Sequence, residues 1–180
     1  MTLSKCIAFA ACLTWGSLAV AQQRPSDIYG WGKARWGMSV AALKAAYGAP
    51  LQETPIDQTS GKDDGVKEFS LPNVKVGEMT LDATFSTYPH SGEIRGVNFS
   101  LPEGVEPHGE YHQLLRLLTL KYGKPTREDS PERKDVNSKG AAWLFPSTAI
   151  ELSLIRVEYI KVEILTLSYW ATDKKALGVL

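Results

Sequence analysis

Three histidines lie beyond the first thirty residues: His90, His108 and His112. His108 and His112 are four positions apart, a spacing that puts two imidazoles on one face of a helix, with Glu106 or Glu110 to supply carboxylate oxygen. They are the metal-ligand candidates, although no further histidine or cysteine lies nearby in sequence to complete a set. Pro107 and Gly109 compete with this reading, because they put the helix start after His108 and make the pair an exposed helix entry. His90 sits in a Pro-His-Ser-Gly turn, where a histidine is ordinarily a solvated loop residue. Asp82, Glu103, Glu151, Glu158 and Glu163 could pair as general acid and base, but nothing local separates them from the polar face of strands. A metal-binding protein or hydrolase working through His108, His112 and nearby carboxylates is therefore kept as an alternative. After residue 21 the chain has no Gly-x-Ser-x-Gly elbow, His-Glu-x-x-His helix or Ser-x-x-Lys run. Gly30-Trp31-Gly32 is an isolated pair and not a phosphate-binding loop. No catalytic residue and no cofactor is assigned, and the expectation is a protein that is not an enzyme.

Recognition is better supplied than catalysis. Tyr29 to Trp36, Tyr-Gly-Trp-Gly-Lys-Ala-Arg-Trp, packs three aromatics and two cations into eight residues. Tyr29 and Trp31 are candidate anchors for a partner, since an aromatic ring gives large contact area for little lost entropy. The competing role is packing, with Trp36 tucked under the next helix and Trp31 at the edge of the core.

Elements that must position these residues announce themselves by repetition. Trp36-Gly37-Met38-Ser39 opens a run that ends Tyr47-Gly48-Ala49-Pro50, and a second run from Tyr111 ends Tyr122-Gly123-Lys124-Pro125. Each reads as a helix closed by a glycine and stopped by the proline two residues on. Ser39 is the expected N-cap of the first, with Val40, Leu43 and Tyr47 on one face; the second shows Tyr111, Leu114, Leu115, Leu118 and Tyr122 at helical spacing. Each helix is followed by a polar stretch, Gln52 to Lys67 and Thr126 to Gly140, expected to be solvated loops. Phe69 to Val76 and Trp143 to Ile150 are then matched with each other, and alternating strands follow: Met79 to Phe85 and Val97 to Leu101, then Ile150 to Leu154 and Val162 to Tyr169.

These units predict an α+β fold of two tandem α-β-β(-β) repeats, with the helices packed on one face of an antiparallel sheet. The first repeat, with its aromatic N-terminal segment, covers residues 22–104 and the second 105–180. The sheet face away from the helices is the expected binding surface. Candidate residues there are Asp82, Thr84, Glu151 and Ser168, joined by Trp170 if Tyr169 points inward. Thr80, Ser153 and Thr166 share that side of their strands.

Residues 1–21 read as a signal peptide: Lys5, an apolar run from Ile7 to Val20, then Ala19-Val20-Ala21 before Gln22. That run is short of the roughly 20 residues a bilayer span needs. Processing at Cys12 would leave Leu13 to Ala21 as an exposed apolar tail and is disfavoured. The whole chain has 180 residues with 20 basic and 20 acidic side chains, so removal of Lys5 leaves 19 against 20, a net of −1 over 159 residues. Both cysteines, Cys6 and Cys12, leave with it. A near-neutral chain without a thiol excludes a disulfide framework and gives no basic footprint for nucleic acid.

The Gly-Met-Ser start and Gly-x-Pro stop resemble the small secreted domains typified by the outer-membrane assembly lipoprotein BamE. The duplicated helix-plus-strands unit is similar to beta-lactamase inhibitory protein, built from two such units. The resemblance implies a protein-binding module without catalysis. The chain departs in lacking the inhibitor's disulfides and a credible lipid-anchor cysteine, so neither family's partner nor any contact residue carries over. The expected partner is another envelope or secreted protein, with no nucleic acid and no integral membrane segment in the mature chain, acting in the periplasm or outside the cell. A structural subunit of an envelope or extracellular assembly is the other alternative.

Overall fold

The computed structural model of the chain describes residues 24–54, 65–130, 132–133 and 136–172; the expected signal peptide and both cysteines lie outside them. A two-stranded ribbon, β1 (Gly30–Trp31) and β2 (Ala34–Arg35), precedes helix α1 (Val40–Tyr47). Four strands follow, β3 (Gln52–Glu53), β4 (Glu68–Val76), β5 (Met79–Thr87) and β6 (Ile94–Ser100). Helix α2 (Glu110–Tyr122) leads into β7 (Arg127–Asp129), β8 (Glu132–Arg133), β9 (Val136–Leu144), β10 (Thr148–Val157) and β11 (Val162–Ala171). Apart from the ribbon, the strands form one antiparallel nine-stranded sheet in the order β3-β4-β5-β6-β11-β10-β9-β7, with β8 also on β9.

The helices end as their glycines require. Gly48 and Gly123 adopt φ of 71° and 80°, each with an extended ψ that a side chain disfavours, and their N–H groups donate to Lys44 O and Thr119 O. At the start of α1, Ser39 Oγ accepts from Ala42 N at 3.2 Å.

Cross-strand register sorts side chains onto two faces. Phe69, Phe85, Val97, Tyr169, Ile150 and Trp143 stand opposite one another from β4 to β9, all 3% exposed or less. Beside them run Ala83, Phe99, Leu167, Leu152 and Ala141. This inner face holds the core. Leu43 of α1 and Tyr111, Leu114, Leu118 and Tyr122 of α2 are buried in the same cluster. The Tyr47 ring lies 5.2 Å from Phe85 and the Tyr122 ring 6.4 Å from Tyr169, two inner-face residues that both stand beside Val97. Trp143 Nε1 donates to Gly123 O at 2.8 Å, tying β9 to the end of α2.

The polar stretches differ from expectation. Thr126 to Gly140 is not a loop: it supplies β7, β8 and the start of β9, while Gln52-Glu53 forms β3. Edge strands bury little side-chain surface and are held by main-chain pairing, so their composition reads as loop. Residues 55–64 lie outside the described residues. The expected match of Phe69–Val76 with Trp143–Ile150 also fails, because Pro72 lies inside β4 whereas Pro146 lies in the β9–β10 turn. The register shift between Leu71 and Val74, with Asn73 at φ 59°, accommodates Pro72 as a bulge.

The N-terminal segment is fastened to the β9–β10 turn. Asp27 accepts from Ser147 N at 2.9 Å and from Ser147 Oγ at 2.8 Å, and Arg24 donates to Leu144 O at 3.0 Å with its guanidinium over Phe145. Trp36 Nε1 donates to Thr148 Oγ1 at 2.7 Å, so this indole is a packing residue of the half-buried rim.

A candidate binding face on the outer side of the sheet

Between the inner-face residues, the strands turn their other side chains outward. Thr84, Asn98, Ser168 and Glu151 stand in one row across β5, β6, β11 and β10; Asp82, Ser100, Thr166 and Ser153 make the next. Asp82, Thr84, Glu151 and Ser168 are thus brought onto one surface by pairing that joins residues up to 70 positions apart. Ser168 Oγ and Asn98 Oδ1 are 2.7 Å apart in a hydrogen bond donated by the hydroxyl. Asp82 Oδ1 accepts from Asn73 N at 3.0 Å, which ties this carboxylate to the β4 bulge. Glu151 is exposed.

Trp170 shares this face, because Tyr169 is turned into the core. Its indole lies flat across Gly96, where an added Cβ would sit 2.2 Å from the ring. Arg95 lies over the same ring, its guanidinium carbon 5.4 Å from the Trp170 ring centroid. The extra residue that places Arg95 there is a bulge where β5–β6 register shifts between Ser86 and Thr87. Sequence reading passed over Arg95; the isolated cation between Ile94 and Gly96 was the signal that could have raised it.

Toward the tip of the β10–β11 hairpin the polarity of the two faces changes over. Ile150, Leu152 and Leu154 point inward, but the next inward residue is Arg156, paired with Glu163 across the hairpin. Outward, Glu151 and Ser153 give way to Ile155 and Val157, opposite Ile164 and Val162, with Val136 beside Val157. Ile164 is 49% and Val162 39% exposed, and Tyr159 and Ile160 in the turn are more so. A ladder of β-branched side chains therefore runs along the outer face, half-buried on β9 and β10 and exposed on β11.

The other candidates are placed elsewhere. Trp31 packs on the inner side, 4.7 Å from Phe99 and 6.3 Å from Phe85 between ring centroids, and its carbonyl accepts from the Tyr47 hydroxyl. Tyr29 is 63% exposed in the segment before β1, and its hydrogen bond to Asp27 raises its phenol above the usual tyrosine range. The five sheet residues thus share a surface to which Tyr29 and Trp31 do not belong. Helix α2 begins at Glu110, so His108 precedes it and does not share a helical face with His112, whose ring stands edge-on to Tyr111. His108 borders a charged cleft of about 270 Å³ with Glu106, Glu158 and Glu163, while Glu163 is taken by Arg156. Among the described residues no three His, Cys, Asp or Glu side chains cluster as a metal site, and no helix is long and apolar enough to cross a membrane.

Burial of polar groups marks structure more than chemistry. Burial among the aromatics, a neighbouring Tyr122 and the hydrogen bond between the two phenols push Tyr169 well above the ordinary tyrosine range. Burial also raises Tyr47, against N–H bonds from Lys33 and Ala34 and the Arg35 charge. Both phenols stay protonated scaffolding at neutral pH.

Comparison with protein-family models, with curated proteins and with solved structures returned no match.

Proposed function

We propose that this chain is an exported, non-enzymatic binding or assembly factor that holds a protein partner on the outer face of its sheet. The observation that carries the reading is the change of polarity along the β10–β11 hairpin. There, β-branched residues Ile155, Val157, Val162 and Ile164 face away from the core while Arg156 and Glu163 occupy the side that would continue it. Burying a fully exposed side chain of this kind is worth about 1.5–3 kcal/mol, so half-exposed Ile164 and Val162 hold roughly 1 kcal/mol each for whatever covers them. The polar row Thr84, Asn98, Ser168 and Glu151 would supply orientation beside that apolar end.

The architecture we infer is two tandem repeats joined antiparallel at β6 and β11, with both helices on the inner face. Its supports are the like closures at Gly48 and Gly123, the contacts of Tyr47 and Tyr122 with the same row of the sheet, and the strand order that places β3 and β7 at opposite edges. Export rests on the sequence of residues 1–21, and a mature protein whose mass corresponds to a start at Gln22 is the expected product.

A photo-reactive phenylalanine analogue placed at Ile164 or Ser168 is expected to give a discrete protein adduct in extract of the source cells, while the same analogue at exposed Ala41 or Gln113 on the helices gives none. Ile155→Ser with Ile164→Ser should remove the adduct formed from position 168 while the protein still unfolds in one cooperative transition, with Tm lowered by only a few degrees. Equal adducts at all four positions, or none at the sheet positions, would overturn the proposal.

A further inference from the structure

Arg95 is a cation that the fold positions but does not pair. Its Nε is buried and has no hydrogen-bond partner, and among the described residues the side chain enters no ion pair. Its contact is the face of Trp170, which is itself seated on Gly96 and cannot sink further toward the sheet. The residue as a whole is half-buried. The buried Nε is closed to an outside ligand, so the Nη groups, which make no hydrogen bond among the described residues, are the donors left to one. A planar fork held against an aromatic face is the arrangement that receives a carboxylate in two parallel hydrogen bonds.

The carboxylates that share the outer face do not fill this role. Glu68 stands in the same row, beyond Ser86, and is exposed. Asp82 is engaged with Asn73 N, and Glu151 stands in the next row, two strands away from Asn98. No carboxylate among the described residues therefore supplies the counter-charge.

We propose that Arg95, stacked on Trp170, is the anchor for a carboxylate side chain of the protein partner, an aspartate or glutamate followed by apolar residues that lie on the indole. This rests on the outer-face reading above and gives it a chemistry: the partner segment is acidic where it meets β5, β6 and β11. Electrostatic attraction favours the contact, and the desolvation that opposes it costs less than for an ammonium, because the guanidinium is more weakly hydrated and already lies against a ring.

Panning a random dodecapeptide library on the immobilised protein tests this directly. The recovered peptides are expected to be enriched in Asp or Glu next to an aliphatic or aromatic residue. Changing that acid to its amide in a recovered peptide should weaken binding about tenfold on the wild-type protein and hardly at all on Arg95→Met, which keeps the apolar stem. Arg95→Lys, which keeps the charge and loses the fork, should fall between them and guards against misfolding of the methionine variant. Peptides without acidic enrichment, or an acid-to-amide loss of the same size on Arg95→Met, would overturn the anchor. The two proposals fail separately: if Ile155→Ser with Ile164→Ser abolishes the photo-adduct while Arg95→Met leaves its yield intact, the binding face stands and the carboxylate anchor falls. Absence of any adduct and of any enriched peptide would overturn both.

Discussion

Gly96→Ala adds one methyl group where the Trp170 indole already lies, with ring atoms Cε3 and Cζ3 at 2.2 and 2.6 Å from the new Cβ. Neither position is the far end of a flexible chain, so the ring or the strand must move. Overpacking of this kind costs about 1–3 kcal/mol, and we expect about 2 kcal/mol for Gly96→Ala. Trp170→Ala removes an indole that would bury about 200 Å² if fully covered. With roughly half of that covered, at about 25 cal/mol/Å², the loss is about 2.5 kcal/mol. In the double variant the methyl group has free space, and alanine is better tolerated than glycine in a strand, so the pair should cost little more than Trp170→Ala alone. The coupling energy is then about −2 kcal/mol. Urea denaturation of the four proteins, followed by circular dichroism so that loss of an indole does not change the signal, measures the cycle. A coupling smaller in magnitude than about 0.5 kcal/mol would mean that the indole does not rest on Gly96, and the platform assigned to Arg95 would go with it.

Asp27 supplies a pH signature. Burial acts to raise its carboxyl, but bonds from the Ser147 hydroxyl, the Ser147 and Ile28 N–H groups and the Tyr29 hydroxyl outweigh it and hold it below the usual carboxylate value of 3.8. A carboxyl lowered in the folded state adds stability above its unfolded value, and that stability is lost as pH falls through the folded one. The Tm difference between wild type and Asp27→Asn should therefore be constant from pH 7 to about 5 and shrink below about 4; a difference that stays level down to pH 2.5 would exclude the effect. Ser39→Ala should cost about 1 kcal/mol in urea, and Ser39→Asp, which keeps an acceptor for Ala42 N, should restore most of it.

Punctuation was legible along the chain. Ser39 as N-cap, Gly48 and Gly123 as closures, and the outward place of Trp170 opposite an inward Tyr169 follow from residues within a few positions of each other. Cap chemistry and the two-residue period of a strand are local, so they survive without knowledge of the partner strands. The Thr126–Gly140 stretch was misread because an edge strand is specified by a neighbour's free main chain and not by its own side chains. Arg95 was missed for a related reason: a bulge and a ring from a strand some 75 residues away give it its setting.

The sequence by itself determined the two helices with their closing glycines and the apolar side of the central strands, since those depend on spacing along one segment. Only the tertiary structure decided that Thr84, Asn98, Ser168 and Glu151 form one row, and that β6 lies beside β11 at its middle. It also decided that the change of polarity at Ile155 and Ile164 falls on one exposed surface. Those outcomes follow from main-chain pairing between distant segments, and a hydrogen-bonded ladder sets which side chains become neighbours without leaving that choice in the composition of either strand.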